Sequence, residues 1–345
     1  MENTSNCILG GRYMRSGNAH RYISGERLRA CEAIRDLVQA EAKDIENVCL
    51  CGGQIDDQLL LATIDRWGLS VSVVLCNNCG LVRLNPRWDE ATYIKVYQNH
   101  FWPLQTGSFA VDRKRFDLSV ERATFFADTL QKTFDLKGKK VVEIGCSYGA
   151  GLTRLKNSGA ELVGYDYDER IIKIGREYSG LELRAGGLEG ALNDGEKYDL
   201  VILKHVFEHF LDPLTEARKL RNLLKENGRV FIEVPGIFNE SRWLQDPIMV
   251  FNAFHTYYYS FSTLAKTMKM SGFVGDSPEN ECIISSWRQT EDVSVVPWHD
   301  PSGASKTLHF LLNKEEDRKK RMNVGLFQKL MSYPIKMKNS FQTIK

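Results

Sequence analysis

The sequence predicts an α/β fold, a doubly wound parallel sheet preceded by a smaller unit. Three observations carry that expectation. After residue 112, short apolar runs such as Val141-Val142 with Ile144, and Leu162-Val163, alternate with helical patterns, as parallel strands joined by crossover helices do. The first of these strands stops in a glycine-punctuated turn that opens a helix through Leu152 and Leu155. Ahead of them, four cysteines fall into two close pairs and mark a separate small unit.

The turn reads Glu143-x-Gly145-x-Ser147-x-Gly149-x-Gly151. Glycines let the chain reverse sharply and bring a ligand against the backbone, and the helix beyond offers free N–H groups to it. A dinucleotide turn would read Gly-x-Gly-x-x-Gly. Here the turn begins from a carboxylate, which would repel a pyrophosphate and suits a cation. S-adenosylmethionine carries a sulfonium and an ammonium, and it fits. Seventeen residues after Gly149, Asp166 ends a second strand, where a carboxylate can accept both ribose hydroxyls. Gly145, Ser147, Gly149, Asp166 and the following Tyr167, with Glu143, form the expected cofactor-binding set, joined by His205 just past the fourth strand.

These residues carry a resemblance to the class I S-adenosylmethionine-dependent methyltransferases. It extends through Tyr198-Asp199-Leu200-Val201-Ile202 as a fourth strand, the segment from His205 to Pro213, and a fifth strand over 228–235, covering residues 112–290. It implies a seven-stranded Rossmann-like sheet. Inside this core, residues 170–178 read as a helix, 181–183 as the third strand and 213–226 as a helix that Asp212 caps with proline at its first position. A helix over 263–270 is closed by Gly272, and the segments after Phe273 and over 281–284 supply the last strands.

With 345 residues, 43% of them hydrophobic, the chain can bury a full core and make more than one unit. Its net charge of +2 argues against a surface built to hold nucleic acid. It has no 18-residue apolar run and no signal-type apolar N-terminus, so a cytoplasmic protein without a membrane span is the expectation.

The chain divides into 1–47, 48–111, 112–290 and 291–345. Residues 1–24 read as a loosely held arm, and residues 25–47 as an amphipathic helix with apolar side chains at three- and four-residue steps. Cys76 and Cys79 lie three apart with Gly80 behind them, the form of a zinc knuckle; Cys49 and Cys51 have one intervening residue where two are usual. Together the four suit a structural zinc held by thiolates on short strands. Cys7, Cys31, Cys146 and Cys282 are scattered and read as small buried residues. The segment 81–86, a helix through Tyr93 and Tyr97, and a helix over 112–133 lead into the core. A zinc ribbon running into such a core resembles the sugar C-methyltransferase family, which implies a carbohydrate acceptor linked to a nucleotide.

Methyl transfer needs a base only where the acceptor loses a proton, and histidine suits that work near neutrality. Phe254-His255-Thr256-Tyr257-Tyr258-Tyr259-Ser260 is similar to that family's Glu-His-x-x-Tyr-Phe-Ser segment, which implies that His255 is the base. Phe254 stands where the family has glutamate, so another group must orient the imidazole. His205 and His209, four apart, would line the methionine end of the cofactor; as a metal pair they lack an evident third ligand. Tyr257 and Tyr258 could hold a ring against a lid made of Phe101-Trp102-Pro103.

The family continues into a further C-terminal domain, whereas 55 residues follow residue 290 here, so O-methylation stands beside C-methylation. Residues 293–305 read as irregular turns and 308–322 as a helix, charged throughout from Lys314 to Arg321. That run reads as a solvated face, or as a basic end for a phosphorylated or lipid-linked substrate. Two other functions fit the same residues: an RNA methyltransferase gripping RNA with the ribbon, and a non-catalytic cofactor-binding protein.

Overall fold

The computed structural model of the protein describes residues 7–14, 23–108, 110–239, 246–275, 283–292 and 298–332, with side chains to Met322. Cys282, Pro297 and most of the arm lie outside the described residues.

The N-terminal unit begins with α1 (Glu26–Glu41), which buries Ala30, Cys31 and Ile34. The expected continuation to Asn47 does not form. Ala42 is extended, and β1 (Asp44–Ile45) pairs antiparallel with β5 (Arg87–Trp88), because the Lys43 N–H is drawn to Asp89 Oδ2 at 2.8 Å. Between them lie β2 (Gln58–Ile64), β3 (Ser70–Cys76) and β4 (Val82–Leu84). Asp89 caps α2 (Glu90–Val96), which runs through a π turn at Tyr97–Phe101 into α3 (Trp102–Thr106). The helix expected over 112–133 is two, α4 (Arg113–Arg122) and α5 (Thr124–Thr133), broken at Ala123.

The core then alternates β6 (Lys140–Ile144), α6 (Ala150–Arg154), β7 (Glu161–Asp166), α7 (Glu169–Ser179), β8 (Glu182–Ala185), α8 (Leu188–Asn193), β9 (Tyr198–Lys204), α9 (Pro213–Leu220) and β10 (Leu224–Val234). Asp168 and Asp212 cap α7 and α9 through their side chains. α9 stops short of Glu226 because Leu224 already pairs with Tyr198 as β10 begins. After β11 (Tyr257–Tyr258), α10 (Phe261–Met270), β12 (Phe273–Gly275), β13 (Ile283–Gln289) and α11 (Pro301–Ser332) complete the chain's described elements.

The main sheet has seven strands in the order β12-β13-β10-β9-β6-β7-β8. The strands from β10 to β8 run parallel, and β12 and β13 are antiparallel. Winding reverses between β6 and β9, so a crevice opens at their carboxyl ends, where such sheets bind ligands. This is the doubly wound, Rossmann-like α/β fold that the apolar runs imply.

The second sheet, β11-β4-β3-β2, draws its edge strand from beyond β10: Tyr257 pairs with Arg83 and Tyr258 with Val82. The segment around His255 therefore belongs to the sheet of the N-terminal unit. Cys49, Cys76, Cys79 and Leu81 share one buried cluster with Tyr257, Phe207 and the main-sheet residues Val201 and Leu203.

Two expectations are corrected at the ends. The arm is pinned where it is described: Tyr13 is buried and donates to Glu315 Oε2 at 2.7 Å, while Arg12 grips Asp246 with two bonds of 2.8 Å. The helix at the C-terminal side starts at Pro301, inside the segment read as turns, since proline suits a first helical turn. Along the charged run, Glu315 turns inward to Tyr13, Arg12 and Arg318, while Glu316, Asp317, Lys319, Lys320 and Arg321 face solvent.

Candidate active site

The glycine turn closes against the loop after β9. Gly145 holds φ 73°, and a Cβ there would collide with Val206. Gly149 holds φ 75° against Leu183. Ser147 and His205 adopt φ 52° and 54°, a left-handed geometry that non-glycine residues adopt at a cost and that marks functional turns. Behind the turn, Glu143 is 4% exposed, and its Oε2 has no hydrogen-bond partner. Burial pushes its carboxyl up to about 8. A buried carboxylate with an unused oxygen needs a cation or a donor to complete it.

Asp166 receives the Ser147 N–H at 2.8 Å on Oδ2 and the Asp168 N–H at 3.0 Å on Oδ1. Burial raises its carboxyl and these amide bonds oppose the rise. Each oxygen keeps a lone pair for a further donor. Tyr167 beside it is exposed, its ring lying over Gly187. The turn, the two carboxylates and an open aromatic face match what S-adenosylmethionine requires.

The loop past β9 brings in His205, Glu208 and His209. The His205 backbone N–H is held by Glu233 O at 2.7 Å, and its ring lies 3.3 Å from Glu233 and 3.5 Å from Glu208. Desolvation works against its positive charge, yet the two carboxylates raise it to about 9. His209 Nδ1 lies 2.7 Å from Phe254 O and 2.9 Å from Tyr97 Oη. The carbonyl can only accept, so Nδ1 carries the proton and Nε2 keeps its lone pair.

His255 meets His209 edge to face, ring centroids 5.0 Å apart. Burial, then the neighbouring His209, holds His255 well below the ordinary imidazole range, and burial lowers His209 as well. Both rings are neutral near pH 7. The carboxylate beside His255 is Glu208: one oxygen of Glu208 and ring nitrogens of His209 and His255 all lie within 4.8 Å of one another. Phe254, standing at the glutamate position, is buried against Phe101 and Trp88.

Tyr257 does not face this cluster. It is 2% exposed, stacks on Tyr259 and donates to Asn47 Oδ1 at 2.8 Å, because alternate residues of a strand point to opposite faces. Tyr258 lies nearer, its ring centroid 6.0 Å from that of His255. Of the expected lid, Phe101 packs on His209 and Phe254, and Trp102 on Tyr148. His205 and His209 do not pair, since His205 turns towards Glu233.

One contributor left no mark in the sequence. Asp65, in the β2–β3 turn, is fully buried; it accepts the N–H groups of Trp67 and Leu69 on Oδ1 and that of Ala253 on Oδ2. With Arg66 N–H on Phe251 O at 3.0 Å, it pins the backbone just before His255. Burial brings its carboxyl up to about 6.

At the ribbon, Cys49 lies 3.4 Å from Cys51 and 3.5 Å from Cys79, and Cys51 lies 3.6 Å from Cys76, measured between sulfurs. A tetrahedron of sulfurs with zinc bonds of about 2.3 Å has edges of about 3.8 Å. The short Cys49–Cys51 spacing is accommodated by a turn in which the Gly52 N–H bonds Cys49 O at 2.8 Å and the Gly53 N–H bonds Cys51 Sγ at 3.3 Å. The donor set fits zinc.

Known proteins resemble this chain over its core. Residues 114–277 match the family described as a methyltransferase domain. The tRNA U34 carboxymethyltransferase of Campylobacter hominis is 33% identical over 143 residues, 38% of this chain and 48% of that protein. A ubiquinone biosynthesis O-methyltransferase of Cereibacter sphaeroides is 33% identical over 116 residues, 32% of this chain and 47% of that protein. The chain spans about half the length of these curated relatives. The magnesium protoporphyrin IX methyltransferase of Synechocystis, solved with S-adenosylhomocysteine, aligns with a TM-score of 0.43 and 17% identity over 59% of this chain and 100% of that one. With its glycine turn, its acidic strand end and its strand order, the segment 114–277 is a class I S-adenosylmethionine-dependent methyltransferase domain.

Proposed function

We propose that the whole protein transfers a methyl group from S-adenosylmethionine to a hydroxyl-bearing small molecule, a carbohydrate being the acceptor class. The observation that carries this reading is the buried, incompletely bonded Glu143 behind the turn, set beside the loop after β9, whose His209 meets His255 from the segment before β11. Bound there, the cofactor supplies a methyl group already activated by its cationic sulfur. Glu143 answers that positive charge, Asp166 holds the ribose, and Tyr167 offers a face to the base. Gly145, Ser147 and Gly149 keep the backbone close, and His205 borders the methionine end.

An acceptor hydroxyl must shed a proton as it is methylated, and His255 is the group against which it does so, with Glu208 and His209 completing the contact. The phenyl ring of Phe101 walls this place from water. The four ribbon cysteines hold a structural zinc that fixes the sheet to which the His255 segment belongs.

Oxygen methylation is favoured by the name of the ubiquinone-pathway relative, and the sugar reading by the histidine–tyrosine segment. Incubating the protein with methyl-labelled cofactor and separate panels of nucleotide-linked sugars and phenols tests both. Label in neither panel, with intact cofactor binding, leaves the non-catalytic reading. The name of the tRNA relative favours an RNA acceptor; a steep salt slope in binding to total RNA would support that, and a net charge of +2 weighs against it.

A further inference from the structure

We propose that Glu208, His209 and His255 form a binding site for a first-row divalent cation, whose remaining positions take an oxygen of the methyl acceptor. Their candidate ligand atoms converge within 4.8 Å. The second observation is Glu208 itself. It is 1% exposed, and neither of its oxygens has a hydrogen-bond partner. The nearest ring nitrogens, His205 Nδ1 and His209 Nε2, are 3.5 and 3.9 Å from Oε1, beyond hydrogen-bonding distance. The His205 imidazolium is a loose ion-pair partner for Oε1 at 3.5 Å, while Oε2 has no partner among the described residues, and a metal would complete the buried carboxylate.

The imidazoles are arranged as ligands are. His209 gives its Nδ1 proton to Phe254 O at 2.7 Å, the outer bond that fixes the ring of a metal-binding histidine and leaves Nε2 free. The backbone before His255 is fastened by Asp65. Two imidazoles and one carboxylate suit manganese, iron, cobalt or zinc rather than magnesium, and they leave positions open for outside oxygens. Neighbouring ligands around bonds of about 2.1 Å lie about 3 Å apart, so the 3.9 Å between Glu208 Oε1 and His209 Nε2 must shorten by about 1 Å when the ion binds.

The place is right for chemistry. Val206, two residues before Glu208, packs on Gly145 of the cofactor turn. Glu208, His209 and His255 would hold such a cation, which would supply Lewis acidity that makes a bound hydroxyl easier to deprotonate. This deepens the proposed function and rests on it only for what fills the open positions.

The test uses the full chain with its cysteine cluster zinc-loaded, after dialysis against a mild chelator. Free Mn2+ is followed by electron paramagnetic resonance during titration, and bound Mn2+ by spin-echo modulation from nitrogen. One Mn2+ per chain with nitrogen modulation is expected; Glu208→Gln and His255→Gln should each weaken binding at least tenfold, and Lys320→Ala, on the solvent face of α11, should not. Mn2+ that stays free at millimolar concentration, binds without nitrogen modulation, or binds both variants as well as the parent overturns the site. A thermal shift with S-adenosylhomocysteine, run on every sample, identifies folded variants. If that shift is absent while Mn2+ binds, the methyltransferase reading falls and the cation site stands; the opposite pattern removes only the cation site.

Discussion

The Tyr257 hydroxyl donates to Asn47 Oδ1 at 2.8 Å, joining side chains 210 positions apart in the chain. Asn47 also donates from Nδ2 to Leu84 O at 2.9 Å and accepts Arg83 Nε at its carbonyl at 2.7 Å. The strand that follows His255 is thereby fastened to the cysteine-bearing unit. Tyr257→Phe leaves Asn47 Oδ1 buried without that donor and should lower stability by about 1–3 kcal/mol. Chemical denaturation checks this, with binding of S-adenosylhomocysteine expected to be unchanged.

Asp166→Ala removes the carboxylate at the end of β7 and should abolish the thermal stabilisation that S-adenosylmethionine gives. The variant also frees the Ser147 and Asp168 amides, so a fall of about 1–2 kcal/mol in its own stability is expected. Equal stabilisation of variant and parent would contradict the assignment.

Glu143 predicts a pH dependence. Its carboxyl sits at about 8 in the folded protein, against 4.5 ordinarily, so without a cationic partner it is protonated at neutral pH. The protonated form therefore favours the ligand-free fold below about 4.5, and that contribution is lost as pH rises through about 8. A cationic ligand favours the ionised form, so cofactor affinity should increase by up to about tenfold per pH unit from pH 6 to 8. Calorimetry in two buffers should also detect a proton released on binding. Glu143→Gln should flatten the profile.

His255→Ala should keep cofactor binding and lose turnover by about 10²- to 10⁴-fold, measured as label transferred to the acceptor. Normal turnover would remove His255 from the chemistry.

Zinc removal should act at a distance. Stripping the metal with a strong chelator releases one zinc per chain, and since Cys49, Cys76 and Cys79 share a buried cluster with Tyr257, the melting temperature should fall. Turnover should suffer more than cofactor affinity, because β11 pairs with β4 next to the knuckle while Glu143 and Asp166 sit on the other sheet.

The sequence made the main sheet legible where its physics is local. Val141, Val142 and Ile144 are apolar in a short run, and glycines follow where the backbone must turn, so strand, turn and cofactor could be read together. β11 could not be read, because two residues carry no periodicity and their partner lies across the whole core. Tyr257 and Tyr258 read alike for that reason: only the pairing decides that Tyr258, and not Tyr257, faces His255. Glu208 stood in plain view beside His209, but its aim depends on the left-handed backbone at His205. Asp65 had no signal, since a lone aspartate before Arg-Trp-Gly reads as any surface turn.

The exchange of an edge strand between the two sheets has a consequence for how such a protein can be taken apart. A piece starting at residue 112 would leave Tyr257–Tyr258 without a neighbour to zip against, and the ribbon alone would end in an open ladder inviting aggregation. Donor and acceptor halves are thus mutually templated, and grafting either onto another scaffold should succeed only if the lent strand travels with it.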